Sequence, residues 1–315
     1  MLPFNHRGMK KPPARTVSPG VLRIAVIGVG GIGSTFAFQL TRKGGHAVTA
    51  IARPESARFE QLKREGGVIN VQNERAELSV ADRLDEEISY DLVLVTMPAY
   101  QAEAVIPSLQ RSAAKWILFL FNTFEPELLR DAVGADRCSF GMPFVQGSLD
   151  PTGRLKAKIG AGGQKTKIDD ERWVELFNTA GLPAVFEPEM LLWLRCHVPM
   201  CIAFESVSVA GKRRGGGATR SEAMTIARGL KEGFTLIQRL GYRLYPSEKA
   251  RLHAAPASVV AVMLWSMSRI PSFRELLATG SNECRALVDV LLAASRQAKP
   301  AIASAKIEAM KPAEQ

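Results

Sequence analysis

The chain has 315 residues, of which 46% are apolar and 23% charged. That balance belongs to ordinary globular proteins and excludes a disordered chain, a collagen-like repeat or a disulfide scaffold. The formal charge of +10 is local, gathered at Arg7, Lys10, Lys11 and Arg15 and again at Lys212, Arg213 and Arg214, and it lacks the aromatic interleaving of single-strand binders. No nucleic-acid partner is expected.

Residues 1–20 predict a disordered basic arm, rich in proline and without the apolar core of a secretory signal. From Val21 the pattern changes. Leu22 to Gly28 predicts a buried parallel strand, Gly31 to Lys43 a helix, and His46 to Ala52 a second strand. Asp91 to Thr96 and Lys115 to Phe121 predict two more. Strands alternating with helical stretches argue for a right-handed βαβ series. After Glu187 the strand signals fade, and four helices are expected over Met190–Val209, Ser221–Leu240, Ala257–Ser268 and Asn282–Ala298. The expected organisation is therefore an arm (1–20), a parallel-sheet domain (21–186) and an all-helical domain (187–315), an α/β chain overall. Apolar runs such as Trp116 to Phe121 are far too short for a membrane span, so no membrane partner is expected. Cys138, Cys196, Cys201 and Cys284 form no C-x-x-C pair and the histidines are scattered, so neither zinc nor another metal has support. Reduced thiols and a cytoplasmic location are expected.

The strongest motif is Gly28-Val29-Gly30-Gly31-Ile32-Gly33, directly after a strand and opening a helix. Gly28 permits a tight turn, Gly30 lets the backbone approach a pyrophosphate, and Gly33 lets the helix pack on the strand. The helix N-terminus adds free N–H groups and a positive dipole end. At the end of the second strand an NAD-preferring site places a carboxylate. Here stands Arg53, whose guanidinium would pair with a 2′-phosphate, so NADP(H) is the expected cofactor. Arg58 is expected on a solvated helix face.

The segments RIAVIGVGGIGS, DLVLVTMPAYQ, FNTFEPELL, FNTAGLPAVFEPEMLLWLRC and WSMSRIPSFRELLATGSNE resemble the ketopantoate reductase (2-dehydropantoate 2-reductase) family. The resemblance implies a Rossmann-type domain followed by a helical domain, with NADPH and a small anionic 2-oxo acid meeting between them. It implies Gly28, Val29, Gly30, Gly31, Ile32, Gly33, Arg53, Thr96, Met97 and Asn122 as cofactor contacts. It also implies Asn122 as an orienting residue, Glu283 as the holder of a substrate hydroxyl and Ser266 as a carboxylate contact. A homodimer through the helical domain stays open. The chain departs from the family at several points. Thr123 follows Asn122 in place of glycine, Pro98 replaces a lysine, and Arg285 replaces an aspartate. Arg195 stands where the family has its proton-donating lysine, with Pro199 and Ala203 in place of two asparagines.

With a pKa above about 12, arginine is a poor proton donor near neutral pH, so Arg195 is expected to clamp or polarise the substrate. Two alternatives accompany it: a structural ion pair with Glu187 or Glu189, and His197 as a substitute acid. His197, like Cys196 and Cys201, also suits plain packing. Gly211 to Ala218 is expected to be an interhelical loop, either solvated or a mobile basic flap over an anion. The departures also admit a dehydrogenase for another hydroxy or amino acid, and a catalytically silent NADP(H)-binding sensor.

Overall fold

A computed structural model describes residues 20–277 and 280–313. The expected basic arm lies outside them, Gly20 apart. The first half begins β1 (Arg23–Ile27), α1 (Gly31–Arg42), β2 (Ala47–Ile51), α2 (Ala57–Glu65), β3 (Gly67–Ile69), β4 (Arg75–Glu77), β5 (Ser79–Ala81) and β6 (Leu92–Val95). It continues with α3 (Ala99–Ala102), α4 (Ile106–Arg111), β7 (Ile117–Leu120), α5 (Pro126–Val133), β8 (Cys138–Met142) and β9 (Val145–Leu149). Then come β10 (Leu155–Ile159), β11 (Thr166–Ile168), α6 (Glu171–Thr179) and β12 (Ala184–Phe186). The named elements that follow are helices: α7 (Met190–Arg214), α8 (Arg220–Arg239), α9 (Ser247–Ala254), α10 (Ala257–Met267), α11 (Pro271–Leu277), α12 (Ser281–Ser295) and α13 (Ser304–Glu308).

Eight strands form one sheet in the order β12-β11-β8-β7-β6-β1-β2-β5. β11 runs antiparallel to β8, and the other pairings within this sheet are parallel. The strands expected from apolar runs are its centre. Ile24 to Ile27, Leu92 to Val95 and Ile117 to Leu120 are all buried, as continuous apolar runs must be when helices cover both faces. The register sets Ile27 opposite both Ile51 and Val95, so three strands finish level. From β1 the chain builds outward to β2 on one side and later returns to β6 on the other. That reversal of direction opens a crevice at the carboxyl ends of the strands. Outside this sheet, β9 and β10 form an antiparallel hairpin that packs on α1.

In the helical half α7 is the central element, packed against α8, α11 and α12. It is the one helix among the described residues long and apolar enough to cross a membrane by length and composition, and 67% of that stretch is buried inside the protein. Pro199 lies within α7, and Gly233 of α8 leaves room for it: a Cβ there would sit 2.9 Å from the proline ring.

The structure shortens the expected interhelical loop at Gly211–Ala218 and ties it down. α7 continues past Val209 to Arg214, so Lys212, Arg213 and Arg214 form its last turn. Arg214 then pairs with Glu222, 3.1 Å away. Glu222 also closes a capping box with Thr219 at the start of α8. The residues that follow are tied as well, Gly215 N–H donating to Lys212 O, Gly217 N–H to Gly211 O and Ala218 N–H to Ser268 Oγ. The helix continues because nothing in the turn Gly211–Arg214 breaks it until Gly215, which adopts φ +74° at the C-cap.

Candidate active site

The crevice at the strand ends is a cleft of ≈590 Å³, a size that suits a small-molecule site. One wall is the glycine loop with Pro98 and Tyr100. The other holds Asn122, Met142, Gly280 and Glu283.

The glycine wall is built by backbone packing against backbone. Gly28 follows β1 at φ +92°, a conformation glycine adopts without steric cost. A Cβ there would lie 2.9 Å from Met97 N. A Cβ on Gly33 would strike Gly28 O and Thr96 Oγ1, and one on Gly31 would strike the carbonyl of Gly147 in β9. Gly30 is the exception, since a Cβ on it would meet nothing within 4 Å. The open space therefore lies where the loop presents its N–H groups. α1 begins there with no acidic residue in its first turn, so its positive end faces the cleft unopposed. Thr96 Oγ1 donates to Gly28 O at 2.8 Å and holds the turn. Val29 is buried, so its side chain serves the core, while Ile32 lines the cleft.

Arg58 is not on a solvated face. Its guanidinium donates to Val29 O (3.1 Å), Ser34 Oγ (2.7 Å), Gln61 Oε1 (2.8 Å) and Gly153 O (3.0 Å). It thereby ties α2 to the glycine loop, to α1 and to the turn between β9 and β10. The sequence carries no sign of this, because Gly153 stands 95 positions away. Arg53, by contrast, is exposed just beyond the end of β2.

On the opposite wall Asn122 follows β7 and is 8% exposed. Its Nδ2 donates to Glu283 Oε1 at 3.1 Å, joining residues 161 positions apart. Its Oδ1 is buried with no hydrogen-bond partner among the described residues. Such an acceptor is costly to leave bare, and an amide-bearing ring or a substrate hydroxyl would satisfy it. A bare acceptor opposite an open glycine loop fits a nicotinamide dinucleotide. Burial raises the pKa of Glu283, partly offset by the Asn122 hydrogen bond. Behind it lies Glu205 of α7, 6% exposed, which burial and the Glu283 charge push up to about 8.

Arg195 is not brought to the cleft. It is buried, ion-paired with Glu127 of α5 and laid over the Tyr242 ring at 3.9 Å. The alternative partners are otherwise engaged: Glu187 pairs with Lys167 and accepts from Tyr245, and Glu189 pairs with Arg243. Arg195 and Glu127 are 68 positions apart, beyond the reach of local pattern. Ser266 is exposed on α10 and lies outside the cleft lining. His197 stacks on Trp193 at 4.5 Å, and burial together with the nearby Lys249 charge drives its pKa to about 3. It is a packing residue with no proton to donate near neutral pH. The four cysteines form no disulfide among the described residues, and burial raises the pKa of Cys196, Cys201 and Cys284.

Residues 24–170 match the family model described as ketopantoate reductase PanE/ApbA. No curated protein matches the chain. Among solved structures, 2-dehydropantoate 2-reductase from Porphyromonas gingivalis W83 superposes with a TM-score of 0.65 at 16% identity, covering 92% of this chain and 98% of that one. The PanE/ApbA family ketopantoate reductase from Ralstonia eutropha JMP134 gives 0.69 at 17%, covering 92% and 96%. D-mandelate dehydrogenase, solved with NADH and anilino(oxo)acetate, gives 0.66 at 15% with the same coverages. At such identities the likeness establishes a shared fold.

Proposed function

We propose that the chain, whose residues 24–170 match the ketopantoate reductase family model, is a divergent member of that family and an NADP(H)-dependent oxidoreductase. It reduces the carbonyl of a small anionic 2-oxo acid. The observation that carries this reading is one cleft lined both by Asn122, whose Oδ1 has no partner among the described residues, and by a glycine loop open at Gly30. A bound nicotinamide supplies the hydride.

The chain's own residues do the rest. The N–H groups opening α1 hold the pyrophosphate, and Arg58 keeps Val29 O drawn back from it. Arg53, exposed where an NAD site has its carboxylate, pairs with the 2′-phosphate. Asn122 orients the reacting groups. Glu283, held by Asn122 and raised in pKa by burial, retains a proton to higher pH than an exposed carboxyl and presents it to the substrate oxygen. Arg195 and Ser266, away from the cleft, have no part in this scheme. A cytoplasmic setting accords with cysteines that form no disulfide among the described residues. The test is NADPH consumption across a panel of 2-oxo acids, ketopantoate first, with Asn122→Ala as control. Turnover that survives that substitution undiminished overturns the assignment.

One observation favours a second reading. Arg195, at the family's lysine position, is committed to Glu127, so the lysine-dependent chemistry has no direct substitute. A dehydrogenase for a different hydroxy acid, as D-mandelate dehydrogenase is, then becomes the alternative. Assay in the oxidative direction with 2-hydroxy acids separates the two. NADPH binding without turnover in either direction points instead to a sensor.

A further inference from the structure

Two helices in this protein carry glutamate at the third helical position, and the two glutamates behave differently. In α8 the arrangement is the usual one: Glu222 reaches back and accepts from the N-cap N–H of Thr219 at 2.8 Å, closing a capping box. In α12 the N-cap is Gly280 and the glutamate three positions on is Glu283. By the same geometry Glu283 would fold back onto Gly280 N–H. It does not, because Glu205 of α7 accepts that N–H. The packing leaves room for nothing else, since a Cβ on Gly280 would strike Glu205 Oε1. Glu283 is thereby free to accept from Asn122 on the same wall of the cleft.

We propose that Glu205 is a positioning residue: by capping α12 from another helix, it releases Glu283 from its own helix end and delivers it to the reaction cleft. The proposal rests on the cleft being the reaction site, but the positioning is a property of the protein without ligand. Three observations point the same way. Gly280 has no side chain with which to complete a reciprocal cap. Glu205 is buried, so it is held for this contact rather than for solvent. The remaining acceptor of Asn122 has no partner among the described residues, and Asn122 and Glu283 both line the cleft, so together they form an unfinished polar set on its wall. The titratable groups around Glu205 are Glu283 and Cys284 of α12 and Cys201 of its own helix. Glu205 meets its neighbours best as a neutral acceptor, a role that an amide oxygen can fill equally well.

The experiment compares Glu205→Gln, Glu205→Ala and Glu205→Asp. Gln keeps the acceptor at the same reach, Ala removes it, and Asp draws it back by one methylene. The first readout is the side-chain amide resonance of Asn122 in the ligand-free protein, assigned by its loss in Asn122→Asp. It is expected unchanged in E205Q and shifted in E205A and E205D, where Glu283 returns to Gly280. The second is turnover. E205A and E205D are expected to raise KM for the 2-oxo acid by about tenfold or more while NADPH affinity stays within about twofold, and E205Q to restore KM. An Asn122 resonance unmoved in E205A and E205D, or E205Q behaving like E205A, overturns the proposal. If the unmodified protein turns over no acid, the functional reading falls, and the Asn122 resonance still decides this one. If E205A does not fold, E205D against E205Q carries the same comparison.

Discussion

The two walls of the cleft are made in opposite ways. The glycine wall is local: the six consecutive residues Gly28–Gly33 carry its geometry, and its constraints are steric. The Asn122–Glu283 wall is assembled from residues 161 positions apart, positioned by a third residue on another helix, and its constraints are electrostatic. The contrast explains why the first wall can be read from one short stretch of chain and the second only from the folded protein. A steric wall tolerates almost no change, whereas a polar wall can be rebuilt with different partners.

The sharpest way to break the comparison is to add a methyl group on the steric side. Gly31→Ala would drive a Cβ into the Gly147 carbonyl, and overpacking against backbone is expected to cost about 3 kcal/mol or more, read by denaturant unfolding. Gly30→Ala, in open space, is expected to leave the unfolding midpoint nearly unmoved and to weaken NADPH binding. Equal loss of stability in both variants would show that the loop is not shaped by that contact.

The next largest effect concerns the cofactor. Arg53→Asp is expected to lower NADPH affinity by about 1.5–3 kcal/mol, the range for a charge-assisted pair, and so to erase or reverse the preference over NADH. Equal NADPH and NADH affinities in the unmodified protein would remove Arg53 from the site.

On the electrostatic wall the corresponding probe is pH. Glu205 ionises near 4.5 when unperturbed and near 8 in the folded protein. Between those values the folded state holds the extra proton, so stability is greatest below about 4.5 and declines as pH rises towards 8. The slope is roughly 1.4 kcal/mol per pH unit at most. Glu283, shifted in the same direction, adds to it. Glu205→Gln is expected to remove the larger part of the decline, measured as thermal midpoints across the pH range. A decline of the same steepness in the variant would assign it to other groups.

The smallest effect is expected at Arg195. Its partner Glu127 is 31% exposed and can be rehydrated when the arginine is lost. Arg195→Ala should therefore cost only about 1–2 kcal/mol of stability, with KM and NADPH affinity unmoved. A rise in KM at unchanged stability would return Arg195 to the cleft.

What the amino-acid order made legible follows the same division. Ile24–Ile27, Leu92–Val95 and Ile117–Leu120 announce themselves because buried parallel strands read as unbroken apolar runs. The loop Gly28–Gly33 is equally plain. β3, β4, β5 and β11 are three residues each and too short for any period to register. α7 runs past the expected end at Val209 because Lys212–Arg214, loop-like in composition, suits a last helical turn, where cations are readily accepted. Arg58, Arg195 and Glu205 could not be placed from sequence, since each is defined by a partner on a distant segment.

The contact between Gly31 and Gly147 also bears on how the chain can change over generations. A side chain at either position collides with the backbone of the other. Unlike a pair of interlocking side chains, this pair therefore has no compensating exchange, because enlarging one cannot be answered by shrinking the other. Drift is closed at both positions together. The hairpin β9–β10, whose exposed polar face is otherwise free to vary, is held to glycine at one point by a loop more than a hundred residues earlier in the chain. A lineage that lost the nucleotide would still have to keep both glycines in order to fold.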